Sequence, residues 1–177
     1  MLKLFTRFFR ARDGMAAVEF AFIAPVMILI FFGSLELTMA VDCRSRVNNV
    51  ASTEADLVAQ ATTVSSADVT NTFGAVNAIL YPYAATGMQI VVSSLVDDGN
   101  GSTKVAWSNA QNATPRPVGS TVAVPTGLIV SGSGNSLILA EITYAYTSPT
   151  LVFLTGPINM TSAFYSKPRR SVVVAHT

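Results

Sequence analysis

Residues 15–41 form a run of 27 positions broken by only two charges, Glu19 and Glu36. Within it, residues 20–35 carry no charge, and Ser34 is the single polar side chain. A helix needs about 20 apolar residues, each rising about 1.5 Å, to cross the hydrocarbon core of a bilayer. The uncharged stretch alone is shorter than that. Ala16, Ala17 and Val18 extend it on one side and residues 37–41 on the other. The run therefore predicts one transmembrane helix over residues 15–41, with both glutamates near the membrane faces. Lys3, Arg7, Arg10 and Arg12 precede it, against a single Asp13. That bias puts the N-terminus in the cytoplasm and the rest of the chain across the membrane. A cleaved secretory signal fits less well. Its apolar core would be shorter, and the best small-residue site, near Met39 and Ala40, has Glu36 just upstream. A mitochondrial transit peptide would account for the Arg- and Phe-rich residues 1–12 but not for the span behind them.

Only 12% of the 177 residues are charged, about half the share of an ordinary soluble domain, and the apolar excess sits at the N-terminal end. From Asp42 onward seven Lys and Arg balance seven Asp and Glu, which gives no electrostatic reason to expect a nucleic-acid partner. Cys43 is the only cysteine, so no internal disulfide and no multi-cysteine metal site can form. It reads as a free, partly buried thiol, with pairing between subunits as the alternative. His176 is the only histidine and reads as part of an unstructured tail, so no Ser-His-Asp or Cys-His set is available. The glycines at 132 and 134 lack the spacing of a phosphate-binding loop. Asp97, Asp98 and Asn100 suggest a calcium loop, but no Glu follows at the needed distance, and they read as turn residues. No catalytic, cofactor-binding or metal-ligating residue emerges, and the chain reads as something other than an enzyme.

Glu19 is the residue this reading must explain. A carboxylate within a bilayer costs about 2.5 kcal/mol or more at the centre, so such a residue marks function unless it lies at headgroup level. Its surroundings are Arg12-Asp13-Gly14-Met15-Ala16-Ala17-Val18-Glu19-Phe20. Gly14 has no side chain and disfavours helix, which suits a protease that grips extended chain. A cut after Gly14 would leave an α-ammonium on Met15, four residues from Glu19 and on the same helix face. The acid and that ammonium, on one subunit or on neighbours, would neutralise each other in a low dielectric.

These residues resemble the class III signal of type IV prepilins, in which a prepilin peptidase cuts after glycine and the fifth mature residue is glutamate. More narrowly, GMAAVEFAFIAP over residues 14–25 resembles the TadE/TadF-like pseudopilins of the Tad (type IVb-related, Flp) pilus system, where a similar block precedes an apolar helix containing proline. The likeness covers residues 12–36; Phe20 stands where related pilins often have tyrosine. It implies processing at Gly14 and Met15, an assembly charge at Glu19 and a helix kink at Pro25. It also implies a bacterial inner-membrane location, with the C-terminal domain periplasmic or extracellular, and a place in or beside a pilus, as a minor pilin or assembly protein with an adhesion-related role. The implied partners are the membrane, the prepilin peptidase and other pilin-like subunits. Glu36 reads as a membrane-edge acid, or as a partner for Arg44 or Arg46 of a neighbouring subunit. The alternative is an uncleaved, membrane-anchored binding module of the cell envelope.

Beyond the membrane, no Gly or Pro interrupts residues 34–67, and Val47, Val50, Ala51, Leu57, Val58 and Ala61 recur at helical intervals with Arg44, Arg46, Asn48, Asn49, Glu54 and Asp56 between them. One helix from Met15 to about Thr63 is expected, followed by a second over residues 66–81 with Ser66 as N-cap and Pro82 just past its end. After Gly87 the period becomes two. Strands are expected over residues 89–95 and 103–108, flanking the turn Asp97-Asp98-Gly99-Asn100-Gly101. Further candidates are 121–125, 128–130, 137–146, 162–165 and 171–175. The pair Arg169-Arg170 reads as a solvated turn. The expected fold is α+β and pilin-like, a long N-terminal membrane helix packed on a small antiparallel sheet. Its division would be a cytoplasmic leader (1–14), a transmembrane helix (15–41), a helical extension with a second helix (42–85) and a β domain (86–177).

Overall fold

The computed structural model describes residues 13–100, 102–129 and 132–177. The basic residues of the leader, Lys3, Arg7, Arg10 and Arg12, lie outside them, as do Gly101 and Val130. The first element, α1 (Asp13–Ala59), is a single helix of 47 residues that runs through Pro25. At about 1.5 Å per residue it is ~70 Å long. The hydroxyls of Ser34 and Thr38 donate to the carbonyls of Phe31 and Ser34, so these polar side chains are satisfied within the helix itself. From Gly14 onward the helix is long and apolar enough to cross a membrane, and its most apolar window is not buried by the rest of the chain.

Beyond this window the same helix enters a core. Cys43, Val47, Val50, Ala51, Ala55, Val58 and Ala59 are all buried. The stripe differs from the expected one at two positions: Leu57 is exposed and Glu54 is buried. Leu57 lies one position off the seam, whereas Glu54 falls four residues from both Val50 and Val58 and so faces inward with them. Two small elements then close the end of the helix. β1 (Thr63–Val64) pairs in parallel with β7 (Ala175–His176). The backbone N–H of Arg169 donates to the carbonyl of Ala59 at 2.9 Å, satisfying one of the carbonyls a helix end leaves open.

The second helical segment is broken into α2 (Ser66–Thr72), a 3₁₀ turn (Phe73–Ala75) and α3 (Val76–Leu80). Its N-cap is Ser65, not Ser66. The Ser65 hydroxyl accepts from the N–H of Asp68, whose carboxylate accepts from the N–H of Ser65, forming a capping box. Ser66 lacks this partner because its Asp is only two residues on.

The main sheet has five antiparallel strands in the order β4-β3-β2-β5-β6, comprising β2 (Gln89–Asp97), β3 (Thr103–Gln111), β4 (Thr121–Val122), β5 (Ser136–Tyr146) and β6 (Ile158–Ser166). Helix α1 crosses the β5 and β6 side. Ile90 and Val92 of β2, Trp107 of β3 and Ile138, Ala140, Ile142, Tyr144 and Tyr146 of β5 form one buried core with the second half of α1. The other face buries Leu95, Val105, Val122, Leu137 and Leu139 beneath Val124, Leu128 and Ile129. The alternation expected along β5 is thus the alternation observed. Each fully buried side chain of this size contributes about 1.5–3 kcal/mol.

Three strand expectations need correction. The segment at 121–125 is a strand only over Thr121–Val122, since Pro125 cannot donate to a ladder and Gly127 turns the chain with a φ of +89°. Leu128 and Ile129 lie in turns and cover the sheet instead of extending it. Of residues 171–175 only the last is in a strand, and it pairs with β1 outside the main sheet. His176, expected in an unstructured tail, sits in β7 with its ring 5.3 Å from that of Trp107 and its Nε2 3.3 Å from both Ser66 and Asn109.

Candidate membrane and assembly site

Gly14, Met15 and Glu19 occupy the first two turns of α1, exposed on every side. The Gly14–Met15 bond therefore lies in a helical turn and not in extended chain. Nothing lies within 4 Å of where a Cβ on Gly14 would be. A first turn is the part of a helix that frays most readily, and its N–H groups have no acceptor within the helix. Among the described residues Glu19 makes no hydrogen bond and no ion pair. Around it Val18, Phe20, Phe22, Ile23, Val26 and Met27 all project away from the rest of the chain. Pro25 lies inside this exposed half and removes one intrahelical hydrogen bond without ending the helix.

Glu36 behaves in the opposite way. Only 1% of it is exposed. Its carboxylate accepts from the Thr150 hydroxyl and from three successive backbone N–H groups, those of Val152 at 2.7 Å, Phe153 at 3.0 Å and Leu154 at 2.9 Å. Both oxygens are thus taken up within the chain. Arg46 is engaged elsewhere, donating to the Asp42 carboxylate at 2.8 Å and to the Ile79 carbonyl at 3.3 Å. Tyr83 donates to the Met39 carbonyl at 2.8 Å, with Asp42 3.2 Å away. The Arg46 hydrogen bond, with help from Tyr83, holds the Asp42 carboxyl below its ordinary range. Burial first, and Asp42 second, push the Tyr83 hydroxyl up to about 12. This cluster pins α3 and the loop after it to α1 where the helix becomes a core element.

Cys43 is fully buried and free. Burial pushes its thiol up to about 11, reinforced by the Asp42 charge. A buried, free thiol is the form expected from the sequence for Cys43.

Glu54 is a buried acid that the sequence reading placed among the solvated positions. It accepts from the Thr72 hydroxyl at 2.8 Å, while its other oxygen is buried without a partner. Burial pushes its carboxyl up, against the pull of Thr72. Its spacing from Val50 and Val58 was the available signal. A second missed feature is the Leu151-Val152-Phe153-Leu154 segment bound by Glu36. Four apolar residues between Pro149 and Pro157, outside any strand, were the mark it left.

Elsewhere the polar groups serve the fold. The Asp97 and Asp98 carboxylates accept from the N–H groups of Gly99, Asn100, Ser102 and Gly134, so they are turn acceptors. Arg169 and Arg170 lie exposed in bends, as a solvated turn would, and Arg169 also reaches the Asp56 carboxylate. No group of three or more potential metal ligands occurs among the described residues.

The chain is α+β. The apolar half of its leading helix is uncovered by the rest of the chain, apolar enough to cross a membrane, and carries Glu19 without a partner among the described residues. Over residues 14–55, which include Gly14, Glu19 and Glu36, the chain matches the family model of TadE-like protein. The likeness to TadE-like proteins is confined to that segment, and the β domain lies outside it. No curated protein and no solved structure matches the chain.

Proposed function

We propose that this chain is a pilin-like structural or assembly subunit of a Tad-type pilus, cut by a prepilin peptidase after Gly14 and assembled through its exposed helix. The observation that carries the reading is the state of Glu19, an exposed carboxylate without a partner on a helix otherwise lined with Met15, Val18, Phe20, Phe22 and Ile23. A lone carboxylate within a bilayer is costly, and an α-ammonium on Met15 of a neighbour would offset that cost. The cut requires only that the first helical turn opens. Residues 15–41 would then span the inner membrane from the cytoplasmic side, residues 42–85 would form the helical extension and residues 86–177 the outer β domain. The partners would be other pilin-like subunits, and the chain would act without catalysis.

The second reading is an uncleaved, membrane-anchored binding module. The two part at the N-terminus. Mass spectrometry of the chain purified from membranes is expected to find a mature protein beginning at Met15. Retention of Met1 would refute processing and favour the anchored module.

A further inference from the structure

The segment 147–157 contains no charged residue, and it packs against α1 at a particular height. Leu151, Val152 and Phe153 at its tip are 49%, 44% and 53% exposed, an unusual density of apolar surface for a loop. The Phe153 ring lies on Gly33, where an added Cβ would come within 3.3 Å of it. Gly33 is ~28 Å along the helix from Gly14, at about 1.5 Å per residue. That is close to the ~30 Å thickness of the hydrocarbon core. A helix that enters the hydrocarbon core near Gly14 therefore reaches its far edge near Gly33, at the level of this loop, with residues 34–41 in the headgroup layer beyond.

Loops rarely sit at such a depth because their backbone N–H groups lose water without gaining partners. Here the loop brings its acceptor with it. Glu36, one helical turn beyond Gly33, takes the N–H groups of Val152, Phe153 and Leu154 and the Thr150 hydroxyl. Leu151 adopts a left-handed conformation, φ +53°, that turns these N–H groups toward one point. The polar side of the loop is consumed against the helix, and the apolar side faces outward, continuous with the exposed face of α1.

We propose that residues 150–154 form a second membrane contact, in which Leu151, Val152 and Phe153 dip into the outer edge of the bilayer beside the helix while Glu36 satisfies their backbone. The partner is a lipid surface, and the proposal rests on the helix spanning the membrane. The contact would fix the tilt and height of the outer domain above the bilayer.

The test places a tryptophan at the loop in the full-length chain, reconstituted in vesicles of phosphatidylcholine and phosphatidylglycerol with and without brominated acyl chains. Trp107, enclosed in the domain core, gives the wild-type baseline. Phe153→Trp and Val152→Trp are each expected to add emission that the brominated lipids quench; Val152→Trp leaves the contact with Gly33 untouched. Phe22→Trp, within the span, is expected to be quenched as well, and Tyr81→Trp, exposed on the outer domain, to be unaffected. Adding Glu36→Gln to Val152→Trp is expected to reduce the loop's quenching. Loop tryptophans quenched no more than Tyr81→Trp and open to acrylamide would place the loop in water and overturn the proposal. Loop tryptophans shielded from acrylamide yet untouched by brominated lipid would put protein over the loop and overturn it equally. Loss of quenching at Phe22→Trp would overturn the spanning helix itself, and the loop contact with it.

Discussion

The two halves of α1 are built from similar apolar residues and meet opposite fates. Phe20, Phe22, Ile23, Val26 and Ile28 are exposed, whereas Cys43, Val47, Val50 and Val58 are buried under the sheet. Each half also carries an acid where an acid is expensive. Glu19 has no partner among the described residues. Glu36 has four donors and Glu54 has one. The difference shows what a carboxylate on a helix is for. Satisfied by its own chain, it holds a loop or an element in place. Left open on an apolar surface, as Glu19 is, it holds nothing within the chain, and the proposed function gives it a charge on a neighbour as its partner.

The comparison breaks most visibly if a charge is added to each half. Val50→Asp puts an unpaired charge in the core and is expected to cost about 3–5 kcal/mol of domain stability. Val26→Asp should leave the domain within about 0.5 kcal/mol and impair membrane insertion instead. Denaturant unfolding of the full chain in detergent, followed through Trp107, distinguishes them; equal losses would mean the halves are not separate. A milder cut, Val50→Ala, is expected to cost about 2 kcal/mol, against almost nothing for Ile28→Ala.

Glu54 sharpens the comparison through pH. Its folded carboxyl is raised by burial, so the neutral form is favoured by the fold. Its contribution to stability is fully present below its ordinary value of 4.5 and is lost as pH rises toward the folded value. Wild-type stability should thus fall over that window, and Glu54→Gln should flatten the fall. A variant with the wild-type pH profile would show that Glu54 is not the titrating group. The smallest expected effect is at the helix end. Arg169→Ala loses a largely exposed pair with Asp56 and should cost at most about 1 kcal/mol, because the capping bond to Ala59 comes from its backbone.

Sequence alone made the apolar half legible, because a span is a local property of composition. The β5 alternation and the Asp97-Asp98-Gly99 turn were legible for the same reason, each written in neighbouring residues. What was not legible depended on distant partners. Glu36 needed Thr150 and its neighbours, more than a hundred positions away. Arg169 needed Asp56, and His176 needed Trp107. Glu54 was the exception. Its inward phase could be read from Val50 and Val58, but chemical type outweighed spacing. Ser65 was missed as N-cap because two adjacent serines compete, and only the one three residues before Asp68 closes the box.

The most direct measurement concerns the open charge. In Glu19→Val, the membrane fraction of the chain is expected to match wild type, because removing a carboxylate makes the span more apolar. Pili, counted by electron microscopy in cells carrying this variant as the sole copy, are expected to be absent or severely reduced. Normal piliation would show that Glu19 pairs with nothing needed for assembly and would contradict the account.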